Sequence, residues 1–167
     1  AERMAPLEVV APWARAWSLN MIGNVVYTPT SRGCGEVRNP NSIQAAAAIP
    51  IRAPLANQTK IVQTDASSVV AIDTLNLKAP SVSTFFTSGG RPAGSWGRGG
   101  VVRGPGDSVI LETSDGFYDP GSGAWGDSVL KLSPKAARVQ DSFTPENHVY
   151  LASKDLAGSA KIGRAHV

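Results

Sequence analysis

Short apolar runs and turn residues alternate through the C-terminal half of the chain. Three runs rich in β-branched and apolar residues occupy Ser108–Thr113, Ser128–Leu132 and Ala137–Thr144. Apolar positions in these runs recur every second residue, which is typical of strands, and no segment sustains the 3.6-residue period of a helix. Ser114–Asp127, between the first two runs, is crowded with Gly, Asp, Pro and Ser. The pattern therefore predicts a three-strand meander.

A looser copy of this meander precedes it. Both copies begin with an apolar run that ends in Thr-Ser-x-Gly, and two more apolar runs follow in the same order. The corresponding segments are Asn24–Gly33 with Ser108–Gly116, Ser68–Leu75 with Ser128–Pro134, and Val82–Thr87 with Val139–Thr144. The second and third strands recur after about 60 residues, and such a period with strands and no helices indicates propeller blades or another β array. Chance similarity between short β-runs is the alternative interpretation.

The composition is that of a folded domain. The chain has 167 residues, of which 42% are hydrophobic and 17% charged, so it can bury a modest core. Its 17 glycines and 12 prolines fit a structure with many tight turns. No run of about 18 apolar residues is present, so we expect no membrane span.

The last seven residues, Lys161–Val167, form a separate case. Their sequence KIGRAHV matches the translation of a common sequencing-library adapter, so we expect an artefact tail at 161–167 and a coding sequence cut short before it. A natural basic tail is the alternative. Without Lys161 and Arg164 the basic residues fall from 16 to 14 against 13 acidic ones, and the net charge falls from +3 to +1. The basic character is therefore no evidence for binding to nucleic acid.

Few residues offer conventional site chemistry. Outside the tail the chain has one histidine, His148, and one cysteine, Cys34, so no His-based triad, Cys-His dyad or zinc spacing is present. Asp115, Asp119 and Asp127 flank a Gly/Pro-rich loop and could suggest calcium, but their spacing matches no EF-hand. We expect these aspartates to bond nearby backbone N–H groups within turns.

The stretch Ser88–Gly100 stands out for its six glycines in thirteen residues. Glycine permits positive φ and close backbone approach, and Trp96 and Arg98 are large side chains within it. A flexible linker is one interpretation, and a structured loop is the one we favour. It is not a phosphate-binding loop, because no Lys-Ser/Thr pair follows the glycines.

Three segments together resemble the quinoprotein-type β-propeller family, whose members carry pyrroloquinoline quinone (PQQ)-like repeats: GRGGVV, SDGFYDPGSGAWGDSVLKLSP and DSFTPENHVYLASKDLAGSA. The resemblance covers about Trp13 to Ala160. It implies an all-β fold, a partial β-propeller of about two to three antiparallel blades in an incomplete ring. Residues 1–160 would be a fragment of a PQQ-like propeller domain, with blade-like repeats at about 20–90 and 100–150.

The resemblance also sets expectations for function. It implies a secreted or periplasmic protein whose partners are the missing blades of the parent chain and a protein or small molecule still to be identified. The adjacent cysteines and the Thr-Gly-x-x-x-Trp signature of family dehydrogenases are absent. We therefore expect a non-catalytic binding or assembly scaffold. The alternative is part of a PQQ-dependent alcohol or sugar dehydrogenase, which would be inactive as a fragment. In this alternative Trp96 and Arg98 bind PQQ, and the full-length parent also binds calcium.

Overall fold

The computed structural model describes residues 7–8, 14–16, 18–32, 60–61, 67–77, 79–88, 93–95 and 99–154. Strands predominate in these ranges. They are β1 (Leu7–Glu8), β2 (Ala14–Ala16), β3 (Asn20–Ile22), β4 (Val25–Arg32), β5 (Lys60–Ile61), β6 (Ser68–Asp73), β7 (Ser81–Phe86), β8 (Val102–Arg103), β9 (Val109–Glu112), β10 (Tyr118–Asp119), β11 (Ala124–Trp125), β12 (Val129–Leu132) and β13 (Val139–Phe143). One α-helix, α1 (His148–Ser153), follows them.

The first sheet runs β2-β4-β6-β7, with β3 also paired to β4, and all its pairings are antiparallel. β3 pairs with the beginning of β4 and β2 with its end. Pro29, which has no N–H to donate, lies in β4 between these two paired stretches. The interrupted partner strand therefore explains why a proline is tolerated inside this sheet.

The second sheet runs β8-β9-β12-β13 and is also antiparallel throughout. A two-stranded hairpin, β10-β11, is inserted between β9 and β12. A small parallel pair, β1 with β5, completes the described strands. Neither large sheet closes on itself, so the fold is all-β and built mostly from open antiparallel sheets.

The two large sheets share one apolar core. In the second sheet Val109 and Leu111 of β9 alternate inward with Leu130 and Leu132 of β12. They belong to the same cluster as four residues of the first sheet, Ile22, Tyr27, Val69 and Ala71, and two residues next to strands of the second sheet, Val101 and Ala136. The period-2 pattern of the sequence thus produces two sheets that bury their apolar faces together.

The predicted meander is confirmed, because β9, β12 and β13 are consecutive antiparallel neighbours. Its predicted earlier copy is confirmed in the same way by β4, β6 and β7. The expectation of strands without helices is wrong at α1. This helix has only six residues and one buried side chain, Leu151, so it is too short to show a sustained helical period.

No helix in the described ranges is long and apolar enough to cross a membrane.

Candidate functional site

A buried threonine and serine face each other at the same end of each large sheet. In the first sheet the hydroxyls of Thr30 and Ser68 lie 2.8 Å apart. In the second sheet the amide of Ser128 donates to Thr113 Oγ1 at 2.9 Å, and this hydroxyl donates to the Ser128 carbonyl at 3.1 Å. All four residues are almost fully buried. The two pairs occupy corresponding places in the two copies of the meander, so the internal repeat extends to side-chain chemistry.

The opposite ends of β6 and β12 also correspond. Asp73, the last residue of β6, accepts the backbone N–H of Leu75 at 3.0 Å. Ser133, directly after β12, accepts the N–H of Arg138 at 3.2 Å. Each side chain therefore stabilises the turn that leads to the next strand, as short oxygen-bearing residues commonly do.

The hairpin β10-β11 brings the second sheet against the end of the first. The backbone N–H of Trp125 donates to the Thr87 carbonyl at 2.9 Å, directly after β7. The N–H of Ser114 donates to the Gly94 carbonyl at 2.7 Å, and Ser95 forms an isolated bridge with Thr113. Buried hydroxyls are therefore concentrated where the two sheets meet, and those of Thr28, Ser67 and Ser95 accept and donate no hydrogen bond.

Asp127 is the most unusual charged residue at this end. It lies in the turn from β11 to β12 with a φ of 51°, and its side chain is buried, with the residue 2% exposed. Neither carboxylate oxygen has a hydrogen bond of good geometry, although the nearby Gly116 backbone N–H acts to lower the pKa. Burial, reinforced by the charge of Asp115, raises the pKa of Asp127 to about 6.

Two further ionisable groups surround Asp127. Glu112, the last residue of β9, has one buried carboxylate oxygen without a hydrogen bond, and burial together with the Asp127 charge raises its pKa. His148, the first residue of α1, acts electrostatically to lower the pKa of Asp127. The His148 ring lies edge-on to Tyr118 of the hairpin, with centroids 5.1 Å apart. We call Glu112, Asp115 and Asp127 the acidic cluster.

A second polar contact joins the sheets at the other end of the core. The turn after β12 places Lys135 at a φ of 63°, where its backbone N–H donates to the Tyr27 hydroxyl at 2.9 Å. Lys135 Nζ lies 2.8 Å from an Asp73 carboxylate oxygen, and the Ser83 hydroxyl donates to the Lys135 carbonyl. The hydrogen bond from Lys135 lowers the pKa of Asp73, and the same pairing raises the pKa of Lys135.

Replacing Tyr27 with phenylalanine is expected to lower the free energy of unfolding by about 1 to 2 kcal/mol, because the Lys135 N–H loses its acceptor in a covered position. Urea unfolding measures this change. Ser122→Ala is the matched control, since its exposed hydroxyl bonds only within a surface turn and its removal should change little. An unchanged stability in Tyr27→Phe would show that this contact does not hold the sheets together.

The residues predicted from the sequence have different outcomes. Trp96, Arg98 and Cys34 lie outside the described residues, as does the tail 161–167. Asp119 confirms the expected turn chemistry, because its carboxylate accepts the N–H of Gly121 at 3.2 Å. For Asp127 the outcome differs, because its carboxylate is buried and the nearby Gly116 backbone N–H acts on it without forming a well-aligned hydrogen bond.

Metal ligation can be assessed in the part of the chain that the structure describes, whereas the residues expected to bind quinone lie outside it. Within the described part, no three or more His, Cys, Asp or Glu side chains are arranged to hold a metal ion. Comparisons with protein-family models, curated proteins and solved structures return no match for this chain.

Proposed function

We propose that this chain is part of a secreted or periplasmic quinoprotein-like β-propeller that acts as a non-catalytic binding or assembly scaffold. The observation that carries most weight is the repetition of one unit. Two successive sheets have the same antiparallel strand order, and both bury a Thr–Ser pair at the same end. Repeated four-stranded units that pack face to face are the construction principle of propeller blades.

The second sheet leaves an apolar surface on the side away from the shared core. On this outer face Val102 is in register with Ile110, and Val129 with Phe143. Val102 is 54% and Phe143 65% exposed. Lys131 of β12 shares this face, so the apolar side chains form two pairs rather than one continuous patch. Exposed apolar side chains on a sheet face are typical of a surface that packs against another element. This face supports a role in assembly, with the next blade of the parent chain as the proposed partner.

The alternative function is a PQQ-dependent alcohol or sugar dehydrogenase, with Trp96 stacking on the quinone and Arg98 pairing with one of its carboxylates. PQQ would supply the oxidising chemistry in such an enzyme. The described residues do not favour this alternative, because the only ionisable cluster at the junction of the sheets is buried and acidic, whereas PQQ is an anionic ligand.

The experiment combines two measurements on the full chain. PQQ and calcium are added, the protein is desalted, and quinone absorbance and dye reduction with alcohols or sugars are recorded. Sedimentation over a range of concentrations measures association in parallel. The scaffold function predicts neither retained quinone nor turnover, together with association that weakens in Phe143→Ser. Gln140→Ser, on the same edge strand, is the matched control and should leave association unchanged.

Retained quinone with turnover, both lost in Trp96→Leu and Arg98→Gln, would overturn the scaffold proposal and establish the dehydrogenase. A monomer whose sedimentation does not respond to Phe143→Ser would remove the outer face as the assembly surface.

A further inference from the structure

The acidic cluster has a burial pattern that the scaffold function does not explain. Three carboxylate oxygens are buried without a hydrogen bond of good geometry, one on Glu112 and both on Asp127, and only the Gly116 backbone N–H acts on the Asp127 carboxylate as a donor among the described residues. A buried ionised carboxylate without donors is costly, and a proton is the smallest ligand that removes this cost.

The groups that act on Asp127 come from every element packed around it. Glu112 belongs to β9, Asp115 to the segment after β9, and His148 to α1. Glu112 and Asp115 repel the Asp127 charge, whereas His148 attracts it when protonated. Ionisation therefore places like charges together at a buried position, and among the described residues the compensating charge comes from His148 of the helix.

Asp127 is linked to both the hairpin and the helix. Its backbone N–H donates to the Ser114 carbonyl at 2.9 Å, and the neighbouring Gly126 N–H donates to the Phe117 carbonyl at 3.0 Å. These bonds close the loop that carries Tyr118, whose ring contacts His148. A change in the charge of Asp127 is therefore transmitted directly to the contact between hairpin and α1.

We propose that Glu112 and Asp127 form a proton-binding carboxyl pair, which stabilises the hairpin β10-β11 and α1 against the second sheet in mildly acidic solution. Proton uptake neutralises one of two repelling groups and turns an unpartnered oxygen into a hydrogen-bond donor. Loss of the proton near neutral pH restores the repulsion and weakens the same region. This proton-dependent stabilisation does not depend on whether the protein is a scaffold or an enzyme.

The sign of the pH dependence follows from linkage. The pKa of Asp127 in the folded protein, about 6, lies above the ordinary value of 3.8, so the folded state binds the proton more tightly. The stabilisation is complete below the unfolded-state pKa and is lost as the pH rises through about 6. Lowering the pH from 7.5 to 4.5 should raise this group's contribution to the folded-to-unfolded ratio by about thirtyfold.

The test compares denaturant unfolding of the full chain and of Asp127→Asn at both pH values. Asparagine keeps the shape and tolerates the positive φ, so only the ionisation is removed. The ratio of the wild-type to the variant equilibrium constant should rise about thirtyfold on acidification. This ratio cancels the titrating groups that do not interact with Asp127. The cost of burying an amide is independent of pH and does not affect how the ratio changes with pH. Asp119→Asn, in the exposed turn of the same hairpin, is the matched control and should show no such change.

An NMR measurement at the hairpin distinguishes a local effect of the Asp127 charge from a change in global stability alone. The NMR chemical shift of the Gly126 amide, in the loop next to Asp127, should show an inflection near pH 6 in the wild type that is absent in Asp127→Asn. A wild-type to Asp127→Asn ratio that is the same at both pH values would overturn the proposal. The same inflection of the Gly126 amide in Asp127→Asn would overturn the transmission of the Asp127 charge to the hairpin.

Discussion

Gly126→Ala is expected to destabilise the protein by about 3 kcal/mol, because overpacking against a backbone cannot be relieved by a rotamer change. A Cβ at Gly126 would overlap the Gly116 backbone, including its Cα at 2.7 Å. Relief requires the loop to open and to break the bond from the Gly126 N–H to the Phe117 carbonyl. Denaturant unfolding measures the loss, and weakened contact between Tyr118 and His148 should accompany it.

Gly121→Ala is the matched control for this prediction. Gly121 lies in the exposed turn of the same hairpin, and its nearest obstacle is an Asp119 carboxylate oxygen at 3.3 Å, which can shift. The control should change stability by less than about 1 kcal/mol. Equal stabilities for the two variants would contradict the close approach of Gly126 to Gly116.

Leu130→Ala is expected to cost about 3 kcal/mol, because Leu130 is fully buried in the core shared by both sheets and its removal leaves a cavity. Val129→Ala is the matched control, since Val129 is the preceding residue but points to the partly exposed outer face. The control should cost less than half as much. Similar losses at the two positions would mean that β12 does not direct alternate side chains to opposite faces.

The sequence predicts much of the fold because the strands here are short, alternating and bounded by turn residues. The repeat of Thr-Ser-x-Gly after an apolar run correctly aligned β4 with β9, and the structure adds that Thr30 and Thr113 each face a buried serine. The partner serines lie 38 and 15 residues away in sequence, so only the register of the strands reveals these pairs. The sequence pattern did not predict the helix α1, because six residues are too few to show the 3.6-residue hydrophobic period.

The acidic cluster could not be predicted in the same way. Asp127 follows Gly126 in a stretch rich in turn residues, where an aspartate ordinarily bonds a backbone N–H, and Asp119 does so. What distinguishes Asp127 is burial by residues that are distant in sequence. The position of Glu112 was one indication of the cluster in the sequence. A charged residue at the end of an apolar run must either reach solvent or be covered by a neighbouring element. Its neighbour, however, is identified only by the fold.

The shared core of two successive sheets is the claim on which the account rests, and hydrogen exchange in Leu130→Ala tests it most directly. The substitution lies in the second sheet, and the amides to follow are those of β6 in the first. If the sheets unfold as one unit, the slowest amides of β6 and β12 should both exchange about a hundredfold faster than in the wild type. Unchanged protection in β6, with faster exchange confined to β12, would contradict the shared core and with it the proposed stack of blades.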